Sequence, residues 1–201
     1  GGITVSAGSL KLSEAGTLAS TISMSGGVLD ADESSTVSGA LTHTADITID
    51  VADNKTLTYS GAPLGLGANT LTMIGGGTLS NTNALELNHA NSLLTLDGTV
   101  TIGKASVTAA SNTGKGLDVN DNTTIQTFSQ TKSSRIDIAN GKSLTLTDTF
   151  EVPADQTMEL HGDGGGTLNI SDNLTLSGIL KLNAQNNTLD NGKLVFNNGL
   201  L

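Results

Sequence analysis

Cysteine is absent from the 201 residues, which removes disulfides and thiolate metal sites. Tryptophan is absent too, and aromatic residues make up 2 % of the chain, one Tyr and three Phe. Large aromatic side chains usually anchor a globular core. The core here is therefore expected to be thin and repetitive, filled by Leu, Ile and Val. Positive charge is scarce: nine Lys and Arg face nineteen Asp and Glu, a formal charge of −10. That balance argues against nucleic acid, whose phosphate backbone demands cationic patches, and against an anionic membrane surface. No run approaches the roughly eighteen apolar residues of a membrane-spanning helix, so no membrane insertion is expected. The opening Gly1-Gly2-Ile3-Thr4 lacks Met, a basic start and an apolar h-region, so it reads as the start of a piece of something longer rather than a signal peptide. Charged residues are only 14 %, and branched apolar residues recur throughout, so the chain is expected to be ordered.

What is abundant is Thr (29), Leu (28), Gly (25) and Asn (18). They form a repeat, the first thing to look for in such a composition. Short apolar–polar–apolar stretches recur, as in Leu57-Thr58-Tyr59, Leu71-Thr72-Met73, Leu85-Glu86-Leu87, Ile136-Asp137-Ile138, Leu144-Thr145-Leu146, Leu174-Thr175-Leu176 and Leu180-Lys181-Leu182. Period-two alternation means strands with one buried face. Between them stand Gly, Asn, Asp and Ser, which tolerate tight turns. The helical spacing i, i+3, i+4 is missing, and Thr, Asn, Gly and Ser are poor helix formers.

From Leu57 onward the first inward residues fall into three interleaved series. Series A is Leu57, Leu79, Val100, Ile125, Phe150, Leu174, Leu194. Series B is Leu64, Leu85, Val107, Ile136, Met158, Leu180, and series C is Leu71, Leu94, Leu117, Leu144, Leu168, Leu189. Asn and Gly recur after the B strands, as in Gly67-Ala68-Asn69, His89-Ala90-Asn91 and Ala139-Asn140-Gly141. Pro63 and Pro153 fall at strand ends, where no ladder donor is lost. An antiparallel sandwich or barrel would use longer strands. The expected fold is all-β: a right-handed parallel β-helix, or β-solenoid, with three short strands per coil of about 20–25 residues. Before Leu57 the phasing weakens, and the first 53 residues contain no Asn. A composition shift at 53–54 is thus present, but residues 1–201 are read as one solenoid domain. One coil cannot offset its own ordering entropy, so coils must stack. Neither end shows a cap, which marks Ile3 and Val5 at the start, and Val195, Phe196 and Leu201 at the end, as assembly surfaces.

The segments Asn54-Lys55-Thr56-Leu57-Thr58-Tyr59-Ser60-Gly61, Gly75-Gly76-Gly77-Thr78-Leu79-Ser80-Asn81 and Asn140-Gly141-Lys142-Ser143-Leu144-Thr145-Leu146 resemble bacterial cell-surface β-helix proteins. The similar kinds are autotransporter passengers, filamentous-haemagglutinin-like adhesins and giant repetitive surface proteins. The resemblance is compositional and covers most of the chain. It implies a secreted or surface-displayed rod acting in adhesion, spacing or assembly, and it transfers no catalytic residue.

Candidate chemistry is sparse. In series B the outward positions include Glu86, Asp137, Glu159 and Lys181, with Asp137 and Glu159 on adjacent coils. Two close carboxylates can bind Ca²⁺ or serve glycoside hydrolysis. The preferred reading is a solvated face relieved by Lys181. Asp137 and Glu159 remain the one Ca²⁺ candidate; otherwise no metal, cofactor or catalytic group is expected. His43, His89 and His161 read as exposed turn residues too far apart to share zinc. The run His161-Gly162-Asp163-Gly164-Gly165-Gly166 has its Asp on the wrong side for a calcium-binding nonapeptide and occurs once. Asp118-Val119-Asn120-Asp121-Asn122 lacks the glycine and terminal Glu of an EF-hand loop. No Gly-x-Ser-x-Gly elbow or phosphate loop appears. A Thr column, Thr56, Thr78, Thr99, Thr124 and Thr149, resembles ice-binding ranks, but its companion rank Thr58, Ser80, Thr101, Gln126, Glu151 is broken. The expected function is a non-catalytic structural or adhesive segment of an extracellular bacterial solenoid. The alternatives are a filament subunit joined end to end and a polysaccharide-active β-helix enzyme. Expected partners are further coils of the same protein, a second copy, or a host or matrix glycan or protein.

Overall fold

A computed structural model of the chain describes residues 1–110, 116–162, 165–183 and 193–196. Every regular element among them is a strand. The first turns comprise β1 (Ile3–Val5), β2 (Ser9–Leu12), β3 (Thr17–Leu18), β4 (Ile22–Met24), β5 (Val28–Ala31), β6 (Ser35–Val37), β7 (Leu41–His43) and β8 (Ile47–Val51). Then come β9 (Thr56–Tyr59), β10 (Leu64–Gly65), β11 (Thr70–Gly75), β12 (Thr78–Asn81), β13 (Leu85–Leu87), β14 (Leu93–Leu96), β15 (Thr101–Val107), β16 (Leu117–Val119) and β17 (Thr123–Gln130). The last are β18 (Ser134–Ile138), β19 (Ser143–Leu146), β20 (Phe150–Val152), β21 (Thr157–Gly162), β22 (Thr167–Ile170), β23 (Leu174–Leu176), β24 (Ile179–Asn183) and β25 (Lys193–Phe196).

The pairings make this a parallel β-solenoid. One sheet runs β2-β5-β8-β11-β14-β16-β18-β21-β24, nine strands high. A second runs β3-β6-β9-β12-β15-β17-β19-β22-β25, and β10 and β13 join it at β15. Two smaller sheets, β1-β4-β7 and β20-β23, complete the set. Every described pairing is parallel. Partners are never consecutive strands, so each ladder closes only after the chain has gone round. The sheets run unbroken past Asp53-Asn54, since β8 pairs β11 and β6 pairs β9.

The core lies inside the coil as stacked columns of like side chains. Leu57, Leu79, Ile102, Ile125, Leu146 and Ile170 are consecutive register partners, and all are buried. So are Leu71, Leu94, Leu117, Ile136 and Leu160. Two further sets of buried partners are Leu64, Leu85, Ala105 and Phe128, and the pair Phe150 and Leu174. The rings of Phe128 and Phe150 are 5.5 Å apart. Each fully buried Leu or Ile contributes about 1.5–3 kcal/mol of apolar transfer.

The columns correct the series read from spacing. The pairs Leu57–Leu79, Leu64–Leu85, Leu71–Leu94, Leu94–Leu117, Leu144–Leu168, Met158–Leu180 and Phe150–Leu174 stand as expected. Leu79, however, faces Ile102 rather than Val100, and Ile125 faces Leu146 rather than Phe150. Leu85 faces Ala105, whereas Val107 faces Leu87. Ile136 joins the column of Leu117 and Leu160 rather than that of Val107 and Met158. Leu189 lies outside the described residues. Two physical causes produce the slip. In β15 and β17 the buried residues Ile102 and Ala105, and Ile125 and Phe128, are three apart, so each strand turns a corner without a loop. Only nineteen residues separate Leu117 from Ile136, a short coil that advances the phase.

Candidate functional site

The outer face of the nine-strand sheet is mostly Thr in its middle, with Thr48, Thr72 and Thr95 in register. Beyond Thr95 the same column becomes charged: Asp118, Asp137 and His161 follow on β16, β18 and β21. A neighbouring column brings Arg135, Glu159 and Lys181 into register. Strand alternation places both columns outward, because Ile136 between Arg135 and Asp137, and Leu160 between Glu159 and His161, point into the core.

Arg135 reaches along its own strand and donates to Asp137 Oδ1 from Nε (3.1 Å) and Nη2 (2.5 Å). Asp137 is 7 % exposed. Its other oxygen, Oδ2, is buried and has no hydrogen-bond partner. Glu159 accepts from Lys181 Nζ at 2.8 Å on Oε1, and its Oε2 lies 3.3 Å from His161 Nε2. Lys181 foremost, then His161, holds the Glu159 carboxyl below the usual range. His161 is 6 % exposed and belongs to a strand. That corrects its reading as an exposed turn residue; His89, outside any strand, is exposed as expected. His43 closes β7, half-buried, with Nδ1 2.9 Å from the Ala45 carbonyl oxygen.

The two carboxylates singled out by spacing, Asp137 and Glu159, are diagonal. Arg135 faces Glu159, and Asp137 lies between Asp118 and His161. Glu86 is elsewhere, opposite Gly65 and Ser106. Among the described residues no three His, Asp or Glu side chains converge on one point. Sequence reasoning did not bring Asp118, Arg135 and His161 together. Their shared outward parity was visible, but the unequal coils on either side of Ile136, to Leu117 and to Leu160, hid the register.

Two further surfaces carry polar groups. A corner groove of about 430 Å³ is lined by Asp53, Gly76, Asp97, Thr99 and Asp121, among others. Asp97 accepts from Asn120 Nδ2 (2.7 Å), and Asp121 from Lys142 Nζ (2.8 Å), which holds the Asp121 carboxyl below its ordinary range. On the second sheet Thr56, Thr78, Thr101, Thr124 and Thr145 stand in one outward rank. Thr101 and Thr145 thus replace Thr99 and Thr149 of the expected column, and Asn169 ends it. Asp163 and Gly164 of the glycine run lie outside the described residues. No protein family, no curated protein and no solved structure matches the chain significantly.

Proposed function

We propose that this chain is a non-catalytic structural and adhesive segment of an extracellular bacterial β-solenoid protein. The observation that carries the reading is the nine-strand parallel sheet, whose first and last strands among the described residues carry incompletely covered inward side chains. Leu10 and Leu12 on β2 are half-buried, and Leu182 on β24 is 58 % exposed, although their partners in the middle of the stack are sealed. Such a stack extends by adding coils, and its sides present polar ranks of Thr and carboxylate rather than an apolar patch. The test is binding of the folded chain to surfaces coated with matrix proteins and polysaccharides. Saturable binding without change in the glycan supports the reading. Release of reducing ends from an acidic polysaccharide by the purified chain overturns it.

A second reading is end-to-end stacking of separate copies, favoured by exposed Leu176, Ile179 and Leu182 on or beside β24, the last strand of its sheet among the described residues. A heterologous contact of this kind does not close and builds a fibre. Ile3, half-buried, and Val5, 8 % exposed, lie on β1, the edge strand of its sheet. Val195 and Phe196 belong to β25, which pairs through its backbone with β22; Leu201 lies outside the described residues. Sedimentation of the chain against Leu182→Lys separates the two: mass that grows with concentration and is lost in the variant supports stacking, and a monomer throughout rejects it.

A further inference from the structure

We propose that the junction of β5 and β8 is a pH-sensitive joint, loosened at neutral pH by repulsion between Asp30 and Asp50 and tightened in acid by a proton held between them. The two residues are direct register partners on adjacent parallel strands. Both point outward, because Leu29 and Ala31 beside Asp30, and Ile49 and Val51 beside Asp50, are buried. Adjacent strands are about 4.8 Å apart, and like charges directly opposite each other weaken a strand pair. Asp50 is half-buried. On the next coil its register partner is the apolar Ile74, and Gly75 packs so close that a Cβ there would stand 2.8 Å from Asp50 Oδ1. The Asp50 carboxylate thus meets a like charge on one side and an uncharged strand on the other.

The neighbouring cation is engaged elsewhere. The charged groups facing Asp50 are Asp30, Asp32 and Lys11. Lys11 on β2 lies beyond Asp30, its register partner, at 3.6 Å from Asp30 and 2.6 Å from Asp32. β11 brings no charge. Asp137, which likewise faces an Asp, is held by Arg135 two residues back on its own strand; the corresponding residue on β8 is the uncharged Thr48. Burial, then Asp30 and Asp32, accordingly raise the Asp50 carboxyl above its ordinary value. Protonated, it turns from a like charge into an O–H donor facing the Asp30 carboxylate, a charge-assisted pair. This stabilisation is complete below the unfolded pKa of Asp and is lost as pH rises through the folded one. The Lys55–Glu33 bridge across the same two coils acts in the opposite sense, because acid removes its carboxylate charge. His43 on β7 titrates on the smaller sheet, with Met24 as its register partner.

The experiment is native-state hydrogen exchange of the chain between about pH 4 and 7, with rates corrected for the intrinsic effect of pH and with β14 and β16 as internal reference. The expected result is protection of β5 and β8 that rises as pH falls, by about tenfold for each pH unit by which the Asp50 carboxyl is raised, while the reference strands change less. Asp50→Asn should bring the acid level of protection to pH 7 and abolish the rise. Asp30→Asn should do the same, which keeps the test decisive where one variant does not fold. Carboxyl-carbon NMR titration gives an independent readout, with a midpoint for Asp50 above the ordinary Asp value of about 3.9. An ordinary midpoint overturns the proposal. So do a folded chain whose β5 and β8 are equally protected at both ends of the range, a rise that survives Asp50→Asn, and a rise that disappears in His43→Gln.

Discussion

Tyr59 is the chain's one tyrosine and points into the coil, 3 % exposed. Its hydroxyl accepts from the Leu41 backbone N–H at 3.1 Å and donates to the Ala62 carbonyl at 2.7 Å. One side chain thereby satisfies two backbone groups at a corner. Tyr59→Phe leaves a buried donor unpaired, so unfolding in urea should show a loss of about 1–3 kcal/mol. Asp50 presents the opposite case. Burial foremost, and then the charges of Asp30 and Asp32, pushes its carboxyl above the ordinary value. Asp30 is its direct register partner. A raised folded pKa means that the native state binds the proton more tightly. The charged carboxylate therefore destabilises the fold at neutral pH, and the penalty fades as pH falls through the folded pKa. Asp50→Asn should raise Tm at pH 7, with the advantage vanishing in acid. Asp32, held low by Lys11, and Asp121, held low by Lys142, act in reverse. Their contribution is present above the unfolded value and is lost as pH falls through the folded one. Thermal melts of Lys142→Met across pH 3–7 (about the carboxylate range) should show a deficit only in the upper part.

At the scale of a strand, close backbone approach sets what each turn tolerates. Gly75 ends β11 with φ of 89°, and a Cβ there would collide with the Val51 carbonyl oxygen on the coil below. Gly75→Ala therefore meets both left-handed strain and a backbone clash, and should cost about 1–3 kcal/mol in chemical unfolding. Column position matters in the same way. Leu94 is fully buried between Leu71 and Leu117, so Leu94→Ala should cost about 2–5 kcal/mol. Leu12, half-buried on the edge strand β2, has neighbours on one side only, and Leu12→Ala should cost well under half of that. Equal losses at both positions would contradict a one-dimensional stack.

For the molecule as a whole, each coil touches only the coils above and below it, so stability is a sum of nearest-neighbour interfaces. Opening then starts where a coil has one neighbour. Native-state hydrogen exchange should show the least protection in β1–β3 and the most in β11, β14, β16 and β18 of the central stack. Uniform protection along the nine-strand sheet would mean a single cooperative unit instead. The formal charge of −10 is spread over this rod. Part of it is neutralised by local pairs such as Lys55–Glu33 at 2.6 Å and Lys181–Glu159 at 2.8 Å. These pairs link residues one coil apart, so they fix side-chain register more than they stabilise the rod; exposed pairs contribute at most about 1 kcal/mol.

Strand identity, parity and the parallel stack were legible in the chain because they follow from local alternation and turn chemistry. Leu71-Thr72-Met73 can only be a half-buried strand, whichever coil it joins. The scarcity of aromatics likewise bounded the core, since stacked Leu and Ile columns need no large anchors. Register is different in kind. It depends on how many residues each coil spends at its corners, and that number changes wherever a strand such as β15 or β17 bends in place of a loop. The short coil from Leu117 to Ile136 set Asp137 against Asp118, and the longer one from Ile136 to Leu160 set it against His161 rather than Glu159. The outward parity of those acids was written in the alternation. Their neighbours were decided by the stacking, because side chains on adjacent coils meet through the sheet ladder and not along the sequence.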